Sequence, residues 1–215
     1  MVITFYGEGC FKIQSGDFVI LTDVFDNNIG LVPPRLKPDI ALRTLTPLPL
    51  IKNQESTAQN QPSTAIIGPG EYNIKDVNVF GFLLAKESSD KFFKTIYLLG
   101  AEGINLCFLG HLSEMPEPTI LEHLEEVDIL FAPAGGQPFI DQKALAKLIK
   151  QIQPKIVIPS FFKIPSLKRP TDKIEKFLEE LNGQKSGKIE PQEKLVVKKK
   201  DLVNIKKMEV VVLKP

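Results

Sequence analysis

Val127-Asp128-Ile129-Leu130-Phe131-Ala132-Pro133 is a short apolar run, and Lys155-Ile156-Val157-Ile158-Pro159 is a second of the same kind. Runs this short that are apolar on both faces suit strands buried inside a sheet. Between them, Asp141 can N-cap a helix whose apolar face is Ala144, Leu145, Leu148, Ile149 and Ile152, and Pro154 stops it. Upstream, Ile120, Leu121, Leu124 and Val127 predict a helix over 118–126. Downstream, Asp172 with Glu175 reads as a capping box for a helix bearing Ile174, Phe177, Leu178 and Leu181, which Asn182-Gly183 ends. Two closing strands are expected at 194–197 and 209–213.

The first half has a different rhythm. Residues 2–6, 11–14 and 18–22 are β-rich runs separated by Gly7-Glu8-Gly9 and Ser15-Gly16-Asp17, a meander. Further strands are expected at 40–42, 65–67, 72–74, 77–84, 94–99 and 104–109. The polar segment 52–64 reads as an exposed loop too short to divide the chain. A meander followed by helix–strand alternation suggests sheet layers covered by helices, in one domain spanning 1–215.

The 215 residues are long enough to bury a sizeable core, and 43% of them are hydrophobic. Basic residues number 27 and acidic ones 26, so net charge offers no argument for nucleic acid or membrane. No apolar run approaches the ~20 residues that span a bilayer. Two cysteines cannot build a disulfide framework, which makes a reducing cytoplasm the expected setting. Cys10 and Cys107 sit in apolar, strand-like runs and read as buried, inert thiols. Only two histidines are present, too few for a His-rich metal site.

Several segments, taken in order, resemble the metallo-β-lactamase fold, in particular its small bacterial hydrolase branch, similar to ascorbate-phosphate lactonase-like proteins. They are Gly7-Glu8-Gly9-Cys10-Phe11-Lys12-Ile13, Thr22-Asp23-Val24-Phe25-Asp26, Pro38-Asp39-Ile40-Ala41-Leu42, Leu109-Gly110-His111-Leu112-Ser113, Pro133-Ala134-Gly135-Gly136 and Gln153-Pro154-Lys155-Ile156-Val157-Ile158-Pro159. The resemblance implies a four-layer αββα sandwich, with two mixed β-sheets and helices outside. It also implies a Zn-dependent hydrolase, whose His-x-His-x-Asp-His signature grips one or two ions.

At that signature this sequence reads Leu45-Thr46-Pro47-Leu48-Pro49-Leu50. Set against the family, Lys86 falls near the middle histidine, His111 at the bridging aspartate, Phe161 at the final histidine and Glu8 at an early one. A lone imidazole cannot build a three-ligand zinc site. The expectation is a degenerate, metal-free member with no cofactor, no metal ligands and no catalytic residue, in a binding or structural role.

Two rivals are set beside it. One is a hydrolase with non-standard chemistry in a polar pocket of Glu8, Asp23, Lys86 and His111. The other is a nucleic-acid-binding module using the lysines of 194–207, although that cluster also reads as a lysine-blunted strand edge. Residues 86–91 equally fit a solvated hairpin turn, His111 a histidine satisfied by backbone, and His123 a solvated helix residue. Leu45, Pro47, Pro49, Leu50 and Phe161 are expected to pack together and fill the vacated site. The sequence names no partner and leaves the oligomeric state open.

Overall fold

A computed structural model of the chain describes residues 1–50, 64–183 and 189–215. Three antiparallel strands open it: β1 (Val2–Gly7), β2 (Cys10–Ser15) and β3 (Phe18–Thr22). In β1 the side chains of Ile3 and Phe5 are buried while their neighbours are not, the period of two that puts one face on a core. β4 (Ile40–Leu42), β5 (Leu45–Pro47) and β6 (Thr64–Ile66) follow, then β7 (Gly70–Ile74), β8 (Val77–Leu83), β9 (Phe92–Ala101) and β10 (Ile104–Phe108). A short helix α1 (Pro118–Leu121) leads to β11 (Ile129–Pro133), α2 (Gln142–Ile152) and β12 (Ile156–Ser160). The chain closes with α3 (Ile174–Asn182), β13 (Lys194–Val196), α4 (Lys199–Val203) and β14 (Glu209–Val210).

These strands build two mixed sheets. One runs β13-β1-β2-β3-β4-β6; the other runs β14-β12-β11-β10-β9-β8-β7, with β5 paired to β9. The sheets meet through aromatic rings: Phe11 of β2 lies edge-on to Phe131 of β11 at 4.7 Å. Every residue of β11 and β12 is buried, as expected of parallel strands covered on both faces. α2 crosses over between them, and α3 packs against α2. The architecture is the expected four-layer sandwich.

Sequence signals whose partners are local reappear in the structure. Asp141 caps α2, its carboxylate accepting from the backbone N–H of Lys143 at 3.0 Å and of Ala144 at 3.3 Å. Other expectations need correction. The helix expected over 118–126 stops at Leu121 and tightens into a 3₁₀ turn, Glu122–Leu124. No capping box precedes α3: Lys173 is its N-cap, and Asp172 Oδ2 instead accepts from Lys176 Nζ at 2.7 Å. The lysine run 198–200 opens α4 rather than lying along a strand, because Asp201 accepts from the backbone N–H of Lys198 and Leu202 is buried. β5 had no counterpart in the sequence reading. The loop expected at 52–64 lies, except for Thr64, outside the described residues.

Candidate functional site

Turns that leave β1, β3, β4, β10, β11 and β12 converge at one edge of the sandwich. They bring Glu8, Asp23, Thr44, His111, Phe139 and Phe161 together. At the centre is a polar chain. Asp23 Oδ1 accepts from the Thr44 backbone N–H at 2.7 Å, and its Oδ2 accepts from the Thr44 hydroxyl at 2.7 Å. The same hydroxyl lies 2.7 Å from His111 Nδ1. Since Thr44 has one proton to give, a Thr44 that donates to Asp23 must accept from His111, so Nδ1 carries the hydrogen and Nε2 a lone pair. Gly110, with φ 55°, makes this closeness feasible, because a Cβ there would collide with the Thr44 side chain.

Burial governs the charges. It holds His111 below the usual histidine range, with Asp23 opposing that shift and Lys94 and Arg169 adding to it. It also pushes the Asp23 carboxyl up, against the opposing pull of His111 and Thr44. His111 is neutral near pH 7 as a result.

Around the chain lies an aromatic group. The Phe161 ring sits 4.8 Å from His111 and 4.4 Å from Phe139, and Phe161 is only 2% exposed. A Cβ on Gly9 would run into that ring. Arg169 lies over the Phe139 ring, its guanidinium 4.9 Å from the centroid. The same group donates to Glu8 Oε2 at 2.9 Å and to the Phe161 carbonyl at 3.2 Å. Glu8 Oε1 and Arg169 Nη1 are buried without hydrogen-bond partners. Burial raises the Glu8 carboxyl, an effect that Arg169 opposes.

A second ion pair lies beside this group. Lys94 Nζ donates to Glu87 Oε2 at 2.8 Å and to Ser113 Oγ at 2.7 Å. The Glu87 carboxylate also accepts from the backbone N–H groups of Ser113 and Glu114 and from the Ser113 hydroxyl. These contacts fasten the 3₁₀ turn after β8 to the turn after β10.

Of the residues that the sequence singled out, Glu8, Asp23, His111 and Phe161 come together; Lys86 does not join them. It is exposed and pairs with Glu117 at 3.3 Å. Lys94, not Lys86, carries a positive charge close enough to act on His111. The filling expected of the aliphatic residues also needs correction. Leu45 is half-buried, Pro47 and Pro49 are exposed, and Leu50 is 53% exposed. Leu45 and Pro47 lie in β5 along β9, and Pro49 and Leu50 follow it exposed, so Phe161 with Phe139 does the packing. Thr44, Lys94, Phe139 and Arg169 were missed. Thr44 stands next to Leu45 in the segment that the sequence singled out and was the one within reach of a sequence argument.

His123 is exposed and stacks on Phe82 at 4.9 Å. Cys10 and Cys107 are free and buried, and burial pushes both thiols far above their ordinary range, as inert thiols require. Among the described residues no three His, Cys, Asp or Glu side chains gather where an ion could be held. No described helix is long and apolar enough to cross a membrane.

Two mixed sheets face to face, helices outside, and a cluster of turns at one edge define the metallo-β-lactamase fold. The family described as the Beta-lactamase superfamily domain matches residues 2–160, and the chain belongs to it. Among solved structures, it is similar to a Thermotoga maritima protein described as a Zn-dependent hydrolase of the metallo-β-lactamase superfamily. That match covers 100% of both chains at 24% identity, with a TM-score of 0.77. It is also similar to Igni18, a metallo hydrolase of Ignicoccus hospitalis (12% identity, 100% of this chain and 95% of that one, TM-score 0.59). A third is the metallo-β-lactamase fold protein YhfI of Bacillus subtilis (10% identity, 99% and 95%, TM-score 0.60). None of the curated proteins matches the sequence significantly.

Proposed function

We propose that this chain is a metal-free, non-hydrolytic member of its family, with a binding or structural role in a reducing cytoplasm. The observation that carries this reading is the donor set. Where the family's signature would present imidazoles and a carboxylate, Leu45, Pro47, Pro49 and Leu50 offer no lone pairs, and Phe161 fills the final histidine's place. The residues present therefore do not fit zinc. His111 spends Nδ1 on Thr44, and both Asp23 oxygens are taken. The remaining carboxylates have protein cations in place of an ion: Arg169 for Glu8 and Lys94 for Glu87. Elemental analysis of the purified chain is expected to find no stoichiometric zinc, manganese or iron. One ion per chain, lost together with an activity on chelation, overturns the reading.

The Asp23–Thr44–His111 chain favours a second reading, metal-free acid–base chemistry, because it fixes the imidazole with Nε2 as the basic nitrogen. Its signature would be turnover of an activated ester that rises with pH through the His111 titration and vanishes in His111→Gln. Rates equal for the two proteins leave the binding role standing.

A further inference from the structure

The candidate site lies where β10, β11 and β12 leave their sheet. Two cavities open at the opposite end, by Asn105 at the start of β10 and by Asp128 and Lys155, which lead into β11 and β12. The first, of about 310 Å³, is walled by Pro118, Leu121, Leu124 and Ile152. The second, of about 610 Å³, continues from it through Glu125, Gln151 and Ile152, which line both. Together they form one trough between the end of α1 and the end of α2.

Both signs of charge line this trough. Glu122, Glu125 and Glu126 are exposed, and no ion pair among the described residues engages them. Lys155 and Lys199 are exposed as well, the latter held to Asp128 at 2.8 Å, and exposed Lys200 follows it in α4. Val203, one turn along α4 from Lys199, is 75% exposed. A surface that carries unpaired carboxylates together with ammonium groups can complement a copy of itself, because a two-fold axis over the trough can set each copy's glutamates against the other's lysines. The net charge of +1 leaves no long-range repulsion between copies.

We propose that the occupant of this trough is a second copy of the chain. Glu125 and Glu126 of each copy face Lys155 and Lys200 of the other, and Val203 enters the partner's apolar cavity. A few charged contacts and one valine on each side fall short of the ~1,200–2,000 Å² of a standard stable interface. The dimer is accordingly weak and salt-sensitive.

Sedimentation velocity of the full chain tests this. At ~50 mM salt the sedimentation coefficient is expected to climb with protein concentration, and at ~500 mM salt to stay at the monomer value. Glu125→Lys with Glu126→Lys should weaken association at least tenfold, and adding Lys155→Glu and Lys200→Glu to that variant should restore it. Val203→Asp should abolish it while circular dichroism stays that of the parent. A monomer at every concentration and salt overturns the proposal. So does a dimer that ignores both the charge reversal and Val203→Asp.

Discussion

Replacing Phe161 with histidine installs the residue type that the family resemblance implies for this position, and the structure implies that the exchange harms the fold. The phenyl ring is buried between Phe139 and His111, with Gly9 against its edge. Burying such a side chain is worth about 1.5–3 kcal/mol, and each ring pair adds about 0.5–1.5 kcal/mol. An imidazole keeps part of the stacking but buries two ring nitrogens among groups whose hydrogen bonds are already made, at about 1–3 kcal/mol if they stay unpaired. Histidine tolerates the left-handed backbone here, φ 60°, slightly better than phenylalanine, a small offset. The net expected loss is about 2–4 kcal/mol, or about 5–15 °C in Tm for a chain of this length. Differential scanning calorimetry with and without zinc reads both parts of the argument. Zinc should not recover the loss, because His111 would be the new imidazole's sole histidine partner and both Asp23 oxygens are already held by Thr44. An unchanged Tm, or one that zinc restores, refutes the packed-site reasoning.

Thr44→Val keeps the shape of the side chain but leaves Asp23 Oδ2 and His111 Nδ1 without their shared partner. Urea denaturation should show a loss of about 2–3 kcal/mol, and a loss below about 0.5 kcal/mol would mean that the polar chain contributes nothing. The His111 shift sets a pH dependence. With its folded pKa held below the ordinary 6.5, the unfolded chain takes up the proton first, so stability falls as pH drops below that value. Denaturation at pH 7 and about 5.5 should show this decline in the parent and a flatter profile in His111→Gln, and identical profiles would contradict it.

Periodicity made the fold legible. Buried strands such as β11 and β12 and the apolar stripe of α2 are local patterns, and Asp141 caps with groups two and three residues away. Asp172 failed as a cap because its place is set by distant chain: its backbone N–H donates to the Gly135 carbonyl at 2.8 Å. The lack of donor atoms at Leu45, Pro47, Pro49 and Leu50 is likewise read directly from the residues, since aliphatic and proline side chains offer a metal no lone pairs. The contacts made by Glu8 and His111 were not legible. Arg169 reaches Glu8 across 161 residues of sequence, a pairing no spacing argument can find. Choosing between Lys86 and Lys94 required knowing which face of the β8–β9 hairpin turns inward.

The pairing of β13 with β1 places Val196 opposite Val2 and Lys194 opposite Thr4. Almost the whole chain therefore separates two neighbouring strands of the first sheet, and this has a kinetic consequence. During synthesis β2 and β3 can join β1 within a few residues of leaving the ribosome, but the other side of β1 waits until residue 196 has emerged. Until then that flank presents unpaired backbone groups, the kind of open edge on which nascent chains associate wrongly. Closure of so long a loop also raises the contact order, so docking of β13 should be among the late and slow steps of folding.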